Sequence, residues 1–273
     1  MAGIWDFLKG TTPASRGANY AGIFHTSAGP GYNTPIALAA IDESGNVANL
    51  AHFAVLDYRL LKISWKIDAS GTWTPANGCR AIYVELWGGG GAGGGMATSS
   101  SSSSMGAGGG GGGYSASWIT GITTTIAYVC GAGGTAGGAG ASGNNGADTT
   151  WNTTTVVAKG GTGGAVLAAG TSFLRIVGGA GGVAGTGDIS IAGGIGGTGI
   201  RLSASQAWSG GGGIPPMLGS VSAQPVVAIA GGTAGENSGA ANYGAGGGGG
   251  ATITTAGIGG TGTRGAIRIW EFS

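Results

Sequence analysis

RAIYVELWGGGGAGGG, residues 80–95, decides how this chain is to be read. Its first half has the pattern of a strand: Ile82, Val84 and Leu86 share one face, and Tyr83 and Trp87 the other. Its second half, from Gly88, opens a tract in which glycine dominates nearly to Gly265. The chain holds 68 glycines and 7 prolines among 273 residues, a share at which low-complexity or disordered chains are usually suspected. Disorder goes with high charge and low hydrophobicity. Here only 8% of residues are charged and mean hydropathy is +0.25, so the tract is read as ordered.

Ordering glycine is costly, because no residue loses more backbone freedom on folding. Backbone hydrogen bonding is the one compensation present throughout the tract. Gly131, Gly134, Gly137, Gly140, Gly143 and Gly146 recur every third residue, the period of an extended helix with no internal hydrogen bonds. Gly179, Gly182 and Gly185, then Gly193, Gly196 and Gly199, and finally Gly259, Gly262 and Gly265 repeat the spacing. A bare edge on each segment lets neighbours approach until their N–H and C=O groups bond. The expected fold class is therefore mainly β and irregular: a bundle of polyglycine-II helices with flanking β-strands, preceded by a small β-rich N-terminal domain. Collagen is excluded, since its triplet period is unbroken and rich in proline.

A fall in charge density marks the expected domain boundary. Residues 1–70 carry ten charged side chains, among them Asp6, Lys9, Asp42, Glu43, Lys62 and Asp68, whereas from Gly88 to Thr263 only Asp148, Lys159, Arg175, Asp188, Arg201 and Glu236 are charged. Domains are expected at 1–70 and 71–273. In the first, Ile4, Trp5 and Leu8 fit one face of a short helix or a frayed terminus, and DESGN at residues 42–46 reads as a tight turn. Leu61, Ile63, Trp65 and Ile67 alternate with Lys62, Ser64 and Lys66 as a half-buried strand, and DASG at 68–71 predicts a hairpin into TWTP. Ile122, Thr124, Ile126 and Tyr128 predict a further strand. The last residues, GAIRIWEFS, alternate Ile267 and Ile269 against Arg268, Trp270 and Phe272, and pairing with residues 80–87 would clasp the ends of the glycine tract.

Several function classes lose support at this stage. A net charge of +1 provides no footprint for nucleic acid. No apolar run approaches a membrane span, and MAGIWDFLKG lacks the pattern of a signal peptide, so manufacture in a cytoplasm is expected. His25 and His52 are the only histidines and both lie in the turn-rich N-terminal part, which points away from triad catalysis. Strings matching GxGxxG follow from composition alone, and Lys159 does not close a P-loop. Cys79 and Cys130 have no metal or redox spacing and are expected as thiols, with a disulfide between them left open. No enzyme, cofactor or metal is expected.

From about Gly71 to Ser273 the chain resembles the glycine-rich domain of bacteriophage tail-fibre and adhesin proteins. The residues carrying the resemblance are Trp73 to Pro75, the strand ending at Trp87-Gly88, the glycines up to Gly113, Tyr114, Ile126 to Gly134, and Ile267 to Phe272, in that order. It is also similar to the tip adhesins of T-even-like phages, which bind receptors through loops. Residues 1–70 do not match their attachment region, and the helical N-terminal domain of mycobacterial glycine-repeat proteins is missing.

The resemblance implies a virion protein that binds the host surface, with a glycan or outer-membrane protein as receptor. It implies other virion proteins as partners through residues 1–70 and a homo-oligomer, a trimer being favoured. A purely structural virion component and an ice-binding protein are the alternatives. Candidate receptor-binding residues lie in the inserts between glycine runs: Met96 and Met105 bounding a serine loop, Trp151 and Asn152, Trp208, and Tyr243. Trp151 has a second reading as a residue closing the end of the bundle. If residues 1–70 hold the particle, the serine loop should lie at the opposite end, with Asn144 to Thr155 and Ile200 to Trp208 as weaker candidates for that end.

Overall fold

A computed structural model describes residues 36–41, 47–53, 59–97, 100–218, 222–229, 231–239 and 242–273. The chain divides into two units, Met1–Tyr58 and Arg59–Ser273. The division falls before Leu60, so the strand at residues 60–66 belongs to the glycine-rich unit. In the first unit β1 (Ile36–Ile41) and β2 (Val47–Phe53) pair antiparallel. The helix expected near Ile4 and the DESGN turn lie outside the described residues, as does His25.

The second unit begins with β3 (Leu60–Lys66), β4 (Ser70–Trp73), β5 (Ala81–Trp87), β6 (Ser103–Gly106), β7 (Tyr114–Thr120) and β8 (Ile126–Val129). Then follow β9 (Thr149–Trp151), β10 (Val156–Ala158), β11 (Val166–Gly170), β12 (Leu174–Ile176), β13 (Ile189–Ile191), β14 (Gly199–Ser203) and β15 (Gln206–Trp208). The last are β16 (Val227–Ala228), β17 (Gly232–Thr233), β18 (Ala251–Thr252) and β19 (Ala266–Phe272). They form four antiparallel sheets, ordered β13-β7-β5-β19-β3, β10-β9-β8-β4, β11-β6-β18-β17 and β12-β14-β15-β16.

The expected bundle of polyglycine-II helices is corrected by this architecture: the described residues form antiparallel sheets and contain no helix. The glycine runs are non-helical connections between strands, and their hydrogen bonds go to neighbouring segments. Gly88, Gly91 and Gly94 donate to Gly113, Gly110 and Ala107 at 2.8–3.0 Å. Gly89 and Ala92 donate to Ala147 and Asn144, while Gly90 and Gly93 donate to Thr263 and Gly260. The triplet-spaced glycines return to one neighbour: Gly134 and Gly137 donate to Gly90 and Gly93, and Gly259, Gly262 and Gly265 to Gly137, Gly134 and Gly131, so the spacing marks where a segment meets the same partner again. Glycine is required for closeness of approach: a methyl group at Gly91 would overlap the carbonyl of Thr162, and one at Gly90 that of Ala245. One such bond contributes about 0.5–1.5 kcal/mol net, against about 1–2 kcal/mol to fix a residue. These segments therefore barely offset their own entropy, and the apolar cores at their ends tip the balance.

The segments join two groups of sheets. At the proximal end, where Arg59 enters and Ser273 ends, β5 pairs with β19 from Ala81↔Phe272 to Trp87↔Ala266, the clasp expected from sequence. Their inner face, Ile82, Val84, Leu86, Ile267 and Ile269, packs on Trp73, Tyr128, Trp151 and Val156 of the β10-β9-β8-β4 sheet. The hairpin expected at residues 68–71 does not form. β3 pairs with β19, while β4 crosses to pair with β8, placing Trp73 in the core 5.4 Å from Trp151. The strand expected from Ile122 shortens to Ile126–Val129, the four residues that pair with Ser70–Trp73 of β4. β7 is the strand that the pattern missed; its YSASWIT sequence sets Tyr114, Ala116 and Trp118 against Ser115 and Ser117, and it pairs with β5 along its whole length.

At the distal end the β11-β6-β18-β17 and β12-β14-β15-β16 sheets share a smaller core of Met105, Ala207, Val226, Ala228 and Ala251. From there 107–113 returns to β7, and 159–165, 192–198, 209–214 and 257–265 likewise run between the two ends.

Candidate functional site

Two surfaces at opposite ends of the glycine segments present apolar side chains. At the proximal end the outer face of the β13-β7-β5-β19-β3 sheet is aromatic and locked by a polar cluster. Arg268 donates through Nε and Nη2 to Glu85 at 2.5 and 2.7 Å, and Trp270 Nε1 and Tyr114 Oη donate to the same carboxylate at 2.7 and 3.0 Å. Burial works to raise the Glu85 pKa, but these donors outweigh it and hold the carboxyl below its ordinary range. Trp65 stacks on Trp87 at 5.6 Å and covers Arg268, and Trp87 Nε1 donates to the Pro216 carbonyl at 2.8 Å. The Glu85 cluster holds β5, β7 and β19 together, and Trp87 ties β5 to the turn at Pro216.

The distal end is built differently. Arg201, only 6% exposed, donates to the carbonyls of Ser172 at 2.7 Å, Ala168 at 2.6 Å and Ser103 at 3.3 Å. Its guanidinium occupies the space where a side chain at Gly170 would project. One buried cation thereby ties the 168–172 turn and the serine loop to β14. Ser103 and Ser104, fully buried, donate to the carbonyls of Ser203 and Leu167 at 2.7 and 2.8 Å. Part of the serine run is thus internal scaffolding.

The β12-β14-β15-β16 sheet turns its other face outward. Arg175 lies opposite Ile200, Ile200 opposite Trp208, and Trp208 opposite Val227, so the four share one face. Trp208 is 45% exposed, and Phe173 and Ile229 beside its ends are 66% and 65% exposed. Sequence reading overlooked Phe173, Arg175 and Ile229; the weak signal was the alternation Phe173, Arg175, Val177 directly after the Gly170 turn.

The six residues expected to bind a receptor are scattered by the fold. Met105 is fully buried in the distal core, and Met96 is 3% exposed and bridged to Gly257. Trp151 is fully buried in the proximal core, its Nε1 without a hydrogen-bond partner among the described residues. Met105 on β6 and Trp151 on β9 fill the two cores, and Met96 lies against Gly257. Asn152 is exposed at φ +48° in the turn joining β9 to β10, and Tyr243 is half-buried against Trp65 at 6.4 Å; both are proximal. The expectation that Asn144 to Thr155 shares an end with the serine loop is corrected for Asn152, because β9 pairs with β8 in the proximal group. Trp208 alone of the six is exposed at the distal end.

Cys79 and Cys130 are free thiols, and burial raises Cys130 to about 11. Among the described residues no three His, Cys, Asp or Glu side chains come together as metal ligands, and no helix is long and apolar enough to cross a membrane.

The chain belongs to the glycine-rich domain family, whose model matches residues 67–270. No curated protein matches the sequence.

Proposed function

We propose that this glycine-rich protein is the host-binding component of a bacteriophage fibre and holds its receptor through the distal face around Trp208. The observation that carries the reading is the division of labour between the ends. Both ends expose aromatic side chains, Trp65 and Trp118 proximally and Trp208 and Phe173 distally; at the proximal face Arg268 and Glu85 are spent on each other, whereas the distal face sets the exposed Arg175 on one face with Trp208. A few aromatic anchors in a well-supported patch are what receptor binding needs. Glycine segments set the backbone frame by main-chain bonds, so the distal loops are free to vary without disturbing it. The order of motifs from Trp73 to Phe272 supports the phage assignment. In this reading residues 1–70 attach to other virion proteins, the assembly is a trimer and the molecule resides in the virion.

The test is adsorption of labelled full-length protein to a panel of bacteria, read by flow cytometry. One or more strains should be stained, and Trp208→Ala or Phe173→Ala should lower staining at least tenfold, while Asn152→Ala leaves it unchanged. A protein that stains no strain yet co-sediments with phage particles would be a purely structural virion component.

A further inference from the structure

The distal end is chemically one-sided. Its strands and turns, residues 97–106, 166–177, 199–208, 226–233 and 251–257, contain Arg175 and Arg201 and no Asp, Glu or His. The proximal end mixes both signs and pairs them, as in Arg268–Glu85 and Lys159–Asp148. Buried charges normally keep an opposite charge nearby. Arg201 instead rests on three carbonyl oxygens, so its positive charge is solvated by dipoles and not cancelled. Arg175 is exposed and forms no ion pair among the described residues.

From these observations we infer that the ligand of the distal face is an anionic sugar, its ring stacked on Trp208 and its carboxylate or phosphate held by Arg175. The inference rests on the receptor-binding reading above and names the chemistry of that same site. Arg175 and Trp208 stand on one face two strands apart, roughly 10 Å at the backbone. The long Arg175 side chain can lean over Ile200 to close that gap, and a guanidinium fork matches carboxylate or phosphate in a bidentate manner. An aromatic plane supplies the apolar surface for a sugar ring. Hydroxyls at the β14–β15 turn add weaker partners: Ser203 and Ser205 face each other at 3.3 Å beside exposed Gln206. A neutral sugar, rich in hydroxyl donors, favours carboxylate acceptors; the nearest carboxylate, Glu236, lies outside these strands and turns and accepts from the Gln224 backbone N–H at 3.1 Å. A protein partner or a second copy of this chain is the competing occupant.

The experiment measures retention of the full-length protein on three immobilised polymers: an oligogalacturonate, a poly(glycerol phosphate) and a neutral galactan. Retention is expected on one or both anionic polymers, to weaken as salt rises, and to be absent on galactan; the two anionic arms distinguish carboxylate from phosphate. Arg175→Gln should weaken retention at least tenfold, with Arg175→Lys intermediate, and Trp208→Ala should weaken it comparably. Unchanged thermal unfolding of these exposed-site variants establishes that the fold is intact. Equal retention on galactan, no retention on either anionic polymer, or an Arg175→Gln protein that binds like wild type overturns the inference. Self-association abolished by Trp208→Ala overturns it in favour of a second copy. If Arg175→Gln still stains cells like wild type, the anionic ligand falls and the adhesin reading stands. If wild type stains no cells at all, it is the adhesin reading that falls.

Discussion

The two ends of this molecule solve the same problem, closing a set of glycine segments, with different materials. The proximal end uses Trp73, Trp151, Ile82, Val84, Leu86, Ile267 and Ile269 in one large core, and ties the strands of its outer face together through the Glu85 cluster while Trp65 and Trp118 stay partly open to solvent. The distal end closes on Met105 and four small or medium side chains, and relies on Arg201 and buried serines where apolar volume is missing. Fully burying a large aliphatic side chain contributes about 1.5–3 kcal/mol, so most of the stability resides proximally. A distal face freed from that duty can expose Trp208, Phe173 and Ile229.

The sharpest way to break this comparison is at the clasp. Ile269→Asp places a carboxylate in the proximal core and should cost about 4 kcal/mol or more, with loss of cooperative thermal unfolding. A protein that still melts cooperatively near the wild-type midpoint would mean that the clasp is not the main source of stability. Next is the glycine frame. Gly91→Val drives a side chain into the Thr162 carbonyl and should cost about 3 kcal/mol, read as a lowered denaturation midpoint.

Arg201→Met tests whether polar ties replace core volume at the distal end. Removing charge-assisted bonds should cost about 2 kcal/mol, with faster proteolysis at residues 168–172 and in the serine loop. Equal acceleration at the proximal turns would refute the division between ends.

Acid provides a milder probe of the proximal face. The folded Glu85 pKa is depressed, so the carboxylate is the form that the fold favours. Its contribution is present above the ordinary value of 4.5 and disappears as pH falls through the depressed value. The thermal midpoint should therefore drop below pH 4.5 in the wild type and less in Glu85→Gln. The smallest effect on stability is expected at the distal face itself: Trp208→Ala should change it by within about 0.5 kcal/mol. A larger loss would show that Trp208 is structural, and the comparison would lose its functional half.

Sequence alone determined the local pieces. Alternation in residues 81–87 and 266–272 revealed two strands and their apolar faces, because a period of two leaves its mark on neighbouring residues. Triplet glycine spacing revealed that backbone segments must approach closely, but it was read as helices. Spacing reports only how often a bare backbone position recurs, here where one segment meets the same neighbour again, as Gly134 and Gly137 meet Gly90 and Gly93. β7 stayed illegible because Ser115, Ala116 and Ser117 owe their burial to Leu86, Glu85 and Val84 of a partner strand distant in sequence. Burial also decided the site. Trp151 and Met105 stand in inserts between glycine runs, yet whether a side chain on a short strand points inward depends on which sheet receives it. Arg175 and Trp208 are more than 30 positions apart in sequence, and only strand pairing through Ile200 sets them on one face.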